Sequence, residues 1–105
     1  MSLVQFGRNG ITKDTMIVAT KEQVHSELDG ETVILHFVSG TYYGLNSVGT
    51  FVWDMLRQPR QVAEILAEML DRFDVDSNQC EADLIALLCR LSDERLIEVL
   101  HAHDA

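Results

Sequence analysis

Positive charge is what this chain has least of. Lysine and arginine together number 8 against 17 aspartates and glutamates, giving a net charge of -9 and a pI near 4.6. A nucleic-acid binder normally presents a basic stripe to the phosphates, so that class is disfavoured. Attraction to an anionic membrane surface is disfavoured for the same reason. No apolar run approaches the roughly 18 residues of a membrane span. Met1 to Gly10 lacks a basic region followed by an apolar core, so a secretory signal is not expected. Cysteine is limited to Cys80 and Cys89. They lie nine residues apart on an expected helix, on opposite faces, so they cannot bridge within it and read as reduced, partly buried thiols of a cytoplasmic protein.

Catalytic signatures are missing too. There is no Gly-x-Ser-x-Gly elbow, no Cys-x-x-Cys and no His-Glu-x-x-His. The glycines between Gly40 and Gly49 do not lead into a lysine-bearing phosphate loop. Glu64, Glu68, Asp71, Asp74 and Asp76 fall on expected solvent faces and helix ends. His101 and His103 stand in an expected tail with no third ligand near them. His25 and His36 fall on neighbouring expected strands, and two imidazoles alone rarely hold a metal. No metal, cofactor or enzymatic activity is expected. Repeats, low-complexity tracts and linkers are also absent.

What is present is ordinary for one globular domain: 105 residues, 47% hydrophobic and 24% charged. Residues 1–20 read as a partly extended lead-in; Met16-Ile17-Val18-Ala19 is either a strand or a cover for the core. From Val24 the pattern alternates to Leu28, and Asp29-Gly30 is a hairpin turn signal. Glu31 to Phe37 returns, with Val33, Leu35 and Phe37 on one face and Thr32, Ile34 and His36 on the other. Ser39-Gly40 turns the chain again into Thr41–Leu45. The three strands form an antiparallel meander.

Helical spacing takes over at Asn46 and Ser47, both good N-caps. Val48, Phe51, Val52, Met55 and Leu56 form the first stripe, with Trp53 off it or on its margin, as core packing or as a surface anchor. Pro59 suits the first turn of a second helix, whose stripe is Val62, Ile65, Leu66, Met69, Leu70 and Phe73. Asn78, three residues before Glu81, suggests a capping box for the third. Leu84, Leu87, Leu88 and Leu91 form its stripe; Ile85 and Cys89 widen the apolar arc beyond one packing partner. Leu96–Leu100 is a candidate closing strand, and residues 101–105 a frayed tail. The fold class is α+β: a three-stranded antiparallel sheet followed by three helices, in the outline of a winged helix-turn-helix.

An edge strand carries unsatisfied N–H and C=O groups that a guest backbone can pair with. Tyr42 and Tyr43 cannot both face inward. The outward one is either a solvated residue or part of a binding surface.

The ordered set Gly30-Glu31-Thr32-Val33-Ile34-Leu35, Gly40 to Gly49 with its Thr-Tyr-Tyr-Gly-Leu-Asn core, Val52-Trp53, Pro59 with Val62-Ala63-Glu64-Ile65, Phe73-Asp74-Val75-Asp76, Cys80-Glu81-Ala82-Asp83-Leu84, Leu87-Leu88-x-x-Leu91 and Leu96-Ile97-Glu98-Val99 resembles the PqqD family. It spans roughly Val24 to Leu100 and is most similar to the stand-alone PqqD-like proteins of lasso-peptide biosynthesis. The resemblance implies a non-catalytic recognition element, over residues 21–100, for the leader segment of a ribosomally made precursor peptide. It implies that the leader adds as a strand beside Thr41, Tyr42, Tyr43, Gly44 and Leu45, under the third helix. Asp83, Leu84, Leu87 and Arg90 are the helix residues expected at that groove. Periodicity does not choose among Leu84, Ile85 and Leu87 for the groove wall. A leader peptidase and a cyclase, or other maturation enzymes, are the implied further partners. The chain is expected as a monomer or as an edge-strand or domain-swapped dimer. The PqqD protein of pyrroloquinoline quinone synthesis is the alternative within the family. A winged-helix DNA-binding regulator is the alternative outside it, opposed by Glu81, Asp83, Asp93 and Glu94 around Arg90. Two positions depart from the family pattern: Gln61 stands where relatives usually have Thr, and Arg95 where they have Gly.

Overall fold

Alternation and turn chemistry build the first sheet. A computed structural model describes residues 10–100 of the chain. The expected frayed tail, with His101 and His103, lies outside the described residues, as do Met1 to Asn9 of the lead-in. β2 (Gln23–Leu28), β3 (Glu31–His36) and β4 (Thr41–Leu45) form an antiparallel sheet in the order β2-β3-β4; β1 is Met16–Ala19. Asp29 and Gly30 turn the hairpin with φ of 56° and 81°, the two positive angles of a type I′ turn. Gly40 supplies the next turn with φ of 78°, its N–H reaching the His36 carbonyl at 2.7 Å.

The buried face of this sheet is the more polar row. Thr32, Ile34 and His36 are buried, while Val33 and Phe37 are about half exposed. Hydrogen bonds make that possible. The Thr32 and Thr50 hydroxyls bond each other at 2.8 Å in the interior. His36 Nδ1 accepts the Ser39 N–H at 3.1 Å. A buried polar group with its partner in place loses little by leaving water.

A second sheet joins distant parts of the chain. β1 is its central strand, flanked antiparallel by β5 (Arg60–Gln61) and β6 (Ile97–Leu100). The run Met16–Ala19 is therefore a strand, and Ile17 is fully buried within it. The Ala19 N–H continues to the Leu56 carbonyl at 2.8 Å and the Thr20 N–H to the Leu96 carbonyl at 2.9 Å. The closing strand expected over Leu96–Leu100 is present as Ile97–Leu100, with β1 as its partner, while Leu96 belongs to the turn that ends the preceding helix.

The described residues hold three helices: α1 (Ser47–Met55), α2 (Val62–Arg72) and α3 (Ser77–Asp93). Asn46 caps α1, its Oδ1 accepting the Gly49 N–H at 2.9 Å. Trp53 lies within the α1 packing face at 1% exposure, whereas Val48 is 40% exposed. The expected stripe is widened rather than reversed: Val52 and Leu56 are buried and Phe51 and Met55 pack on the core, but Thr50 and Trp53 join the buried side and Val48 turns out. Pro59 does not open α2. It precedes β5, and α2 starts three residues later, at Val62. The Val62 and Ala63 N–H groups bond to the carbonyls of Thr15 and Lys13, each at 2.9 Å. Glu64 accepts the Gln61 N–H at 2.9 Å. With these partners the helix start does not depend on a better capping residue than Gln61. The α3 cap is Asp76 rather than Asn78, with Oδ2 2.9 Å from the Gln79 nitrogen.

α3 ends with the Arg95 N–H on Ser92 O at 3.0 Å and the Leu96 N–H on Leu91 O at 2.8 Å. This is the Schellman pattern, closed by the buried side chains of Leu91 and Leu96. Arg95 carries it at φ 62°. The left-handed turn persists without its usual glycine.

Candidate functional site

β4 is hydrogen-bonded only to β3 among the described residues, so its other edge is open. Register places Leu35 opposite Tyr42, Ile34 opposite Tyr43 and Val33 opposite Gly44. Ile34 faces the core, so Thr41, Tyr43 and Leu45 share the inner side and Tyr42 and Gly44 the outer. Tyr42 is 70% exposed; Tyr43 is half-buried and Leu45 buried. A Cβ placed on Gly44 would meet nothing within 4 Å. Thr41 holds the strand's start through Ser39, whose Oγ accepts the Thr41 N–H at 3.3 Å and lies 3.1 Å from Thr41 Oγ1.

Beside this edge runs a groove of about 440 Å³ lined by Tyr43, Gly44, Leu45, Asn46, Val48, Gly49, Asp83 and Leu87. One wall is β4 with the first turn of α1; the other is α3. Asp83, Leu87 and Arg90 stand at i, i+4 and i+7, one stripe of the helix. Arg90 is not one of the lining residues, but its guanidinium carbon lies 5.7 Å from the ring centroid of Tyr43, which is one. Leu84 differs from the expectation. It is 1% exposed and belongs to the core, while Leu87 is the half-buried residue of the groove wall. The wide apolar arc of α3 is largely filled by the chain itself: Cys89 is buried and Ile85 packs on the core.

Sequence reasoning missed Asn46, Val48 and Gly49 as groove residues because capping and stripe assignments had used them. It also missed a continuation of the groove. Val48 and Asp83 line a second, mostly apolar hollow of about 370 Å³ with Met69, Phe73, Val75, Asp76, Gln79 and Cys80. Gln79 Nε2 donates to Asp83 Oδ1 at 2.8 Å. The available signal was an i, i+4 Gln–Asp pair, which many solvent-exposed helices carry.

The chemistry of this groove is that of contact. Burial, and then the Asp83 carboxylate, raise the Cys80 pKa. The thiol is thereby kept protonated, the opposite of an activated nucleophile. Among the described residues no three His, Cys, Asp or Glu side chains converge as metal ligands would. His25 and His36 are engaged separately. His25 meets the Trp53 ring edge-on at 5.9 Å, and His36 faces Ser39 and Glu22. No helix among the described residues is long and apolar enough to cross a membrane.

Residues 31–97 match the family model of coenzyme PQQ synthesis protein D, PqqD. The chain belongs to the PqqD family. The solved structure of TbiB1 in complex with the TbiA(beta) leader peptide superposes with a TM-score of 0.72 at 32% identity. The alignment covers 77% of this PqqD-family chain and 94% of that one. No curated protein matches the chain significantly. The family model begins at β3 and ends where β6 begins, so it contains β4, α1 and α3, the walls of the groove.

Proposed function

We propose that this PqqD-family protein is a non-catalytic recognition element that binds the leader segment of a ribosomal precursor peptide. The leader adds as a strand on β4, and its side chains enter the groove against α3. The observation that carries this reading is an open strand edge beside a partly apolar groove, in a fold shared with a protein solved with a leader peptide. Thr41, Tyr42, Tyr43, Gly44 and Leu45 supply the edge. Leu87 supplies apolar contact, and Asp83 and Arg90 supply opposite charges at the groove rim. Leader peptidase, cyclase or other maturation enzymes then act on the delivered precursor in the cytoplasm. Lasso-peptide assembly is the preferred pathway, on the resemblance of the Tyr42-Tyr43-Gly44-Leu45-Asn46 run to the stand-alone PqqD-like proteins. The family model's description favours a second reading, presentation of the precursor peptide in pyrroloquinoline quinone synthesis.

Magnitudes support a two-part site. Antiparallel pairing uses both main-chain groups of every second residue, so a five-residue edge offers roughly four to six hydrogen bonds. At about 0.5–1.5 kcal/mol each, they barely exceed the roughly 2–5 kcal/mol cost of ordering a disordered leader. Two buried apolar anchors at about 1.5–3 kcal/mol each add about 3–6 kcal/mol, which at its upper end reaches the roughly 7 kcal/mol of a Kd near 10 μM.

The test is a fluorescence-anisotropy titration with the labelled leader encoded beside the gene, run in parallel with a pyrroloquinoline quinone precursor peptide. Saturable binding of the first, with a Kd near or below about 10 μM, supports the lasso reading. Preference for the second selects the alternative. Binding of neither contradicts the proposal.

A further inference from the structure

Among the described residues, the exposed large apolar side chains fall in two places. Val48 and Val75 line the groove and its continuation. The other six, Val24, Leu28, Val33, Phe37, Val38 and Tyr42, belong to the β2-β3-β4 meander. Register places Val24, Leu28, Val33 and Tyr42 on its outer face, whereas Val38 lies in the turn before β4. Val24, Leu35 and Tyr42 form one cross-strand row, and Ser26, Val33 and Gly44 the next. Phe37 follows on the same side by alternation. All three helices come after this sheet, and α1 packs on β3 and β4 from the inner side, where Ile34 and Thr32 are buried. The outer face is left with no element of the described chain on it.

The charge around this face is one-sided. Between Lys21 and Arg57 the chain has no lysine or arginine, while Asp29 in the hairpin turn and Glu31 border the outer face; Glu27, opposite Thr32, lies on the inner side, and the Glu22 carboxylate faces His36. Glu31 lies on the outer face itself, cross-strand from Leu28. Two copies packed face to face would bring the Asp29 and Glu31 carboxylates together, and like charges at an interface are costly. An anionic bilayer or a nucleic acid meets the same repulsion. The complementary surface is a protein patch with apolar side chains inside a lysine and arginine rim.

We infer that the outer face of the β2-β3-β4 sheet is a docking surface for a basic-rimmed apolar patch on the enzyme that modifies the bound precursor. The choice of that enzyme rests on the leader-binding reading. A guest strand on β4 becomes the next strand of this same sheet, beside Tyr42. A protein seated on the outer face is thereby brought alongside the peptide, while the groove on the inner side stays occupied.

The test uses the full chain, the labelled leader and the purified maturation enzyme encoded beside the gene. Two variants are compared with the parent: the double substitution Val24→Ser with Phe37→Ser, and the single substitution Glu31→Lys. Each is expected to weaken enzyme binding by about tenfold or more, with leader affinity within about twofold of the parent because the groove is untouched. Parent binding to the enzyme should also fall as salt rises through about 0.5 M. Unchanged enzyme binding in both variants would overturn the inference. So would a parent dimer in sedimentation that the Val24→Ser/Phe37→Ser pair dissociates, since the face would then serve a second copy. If the parent ignores the leader yet binds the enzyme through these residues, the docking surface stands and the leader-binding reading fails.

Discussion

Arg95 sits in a backbone conformation, φ 62°, that glycine adopts without penalty and arginine does not. Arg95→Gly is expected to raise stability by about 1 kcal/mol in urea denaturation; an unchanged or lower midpoint would show that Arg95 makes compensating contacts. The buried Thr32–Thr50 hydroxyl pair at 2.8 Å gives a second test. Thr50→Val should cost about 1–3 kcal/mol by stranding the Thr32 hydroxyl, and adding Thr32→Val should recover much of the loss. Additive losses would mean that the two hydroxyls do not depend on each other. Cys80 supplies a pH test. Its raised pKa means the folded state holds the proton more tightly than the unfolded chain. That contribution to stability is complete below the ordinary thiol pKa and is lost as pH rises through the higher native value. In the native protein Cys80 should react with iodoacetamide more slowly than in urea throughout pH 7–9 (roughly the range approaching the ordinary thiol pKa). Equal rates would contradict its placement.

Elements differed in how far they could be read from residues alone. Asp29-Gly30 fixed the hairpin because only certain residues accept two positive φ angles in succession. The α1 cap at Asn46 and the apolar periodicity of α2 and α3 were legible for similar local reasons. The second sheet was less so: β5 is two residues long, and both partners of β1 lie far along the chain. No local pattern encodes that pairing. The inward row of β3 was hidden as well, since Thr32 and His36 are buried only because Thr50 and Ser39 answer them. At the candidate site, the edge strand and Asp83, Leu87 and Arg90 could be anticipated. The core position of Leu84 and the groove position of Val48 could not, because one helical step separates core from groove on both walls. The groove wall itself is testable by substitution. Leu87→Asp is expected to weaken leader binding by about tenfold or more by removing apolar contact beside Asp83. Thermal stability should change far less than for a core residue such as Leu84. Unaltered affinity would move the peptide away from α3.

At the scale of the whole molecule, the two sheets have different tasks. β1, β5 and β6 tie the start, middle and end of the described chain together around buried Ile17 and Ile97. The meander keeps one edge open beside the groove and one face apolar and acid-rimmed. The central claim is that β4 becomes an interior strand when the leader binds. Amide hydrogen exchange, followed residue by residue with and without saturating leader, tests it most directly. The account predicts strong new protection within Thr41–Leu45 at amides that exchange rapidly in the free protein, with smaller gains along α3 from Asp83 to Arg90. New protection confined to β2, or to the β5-β1-β6 sheet, with Thr41–Leu45 unchanged at saturation, would contradict it.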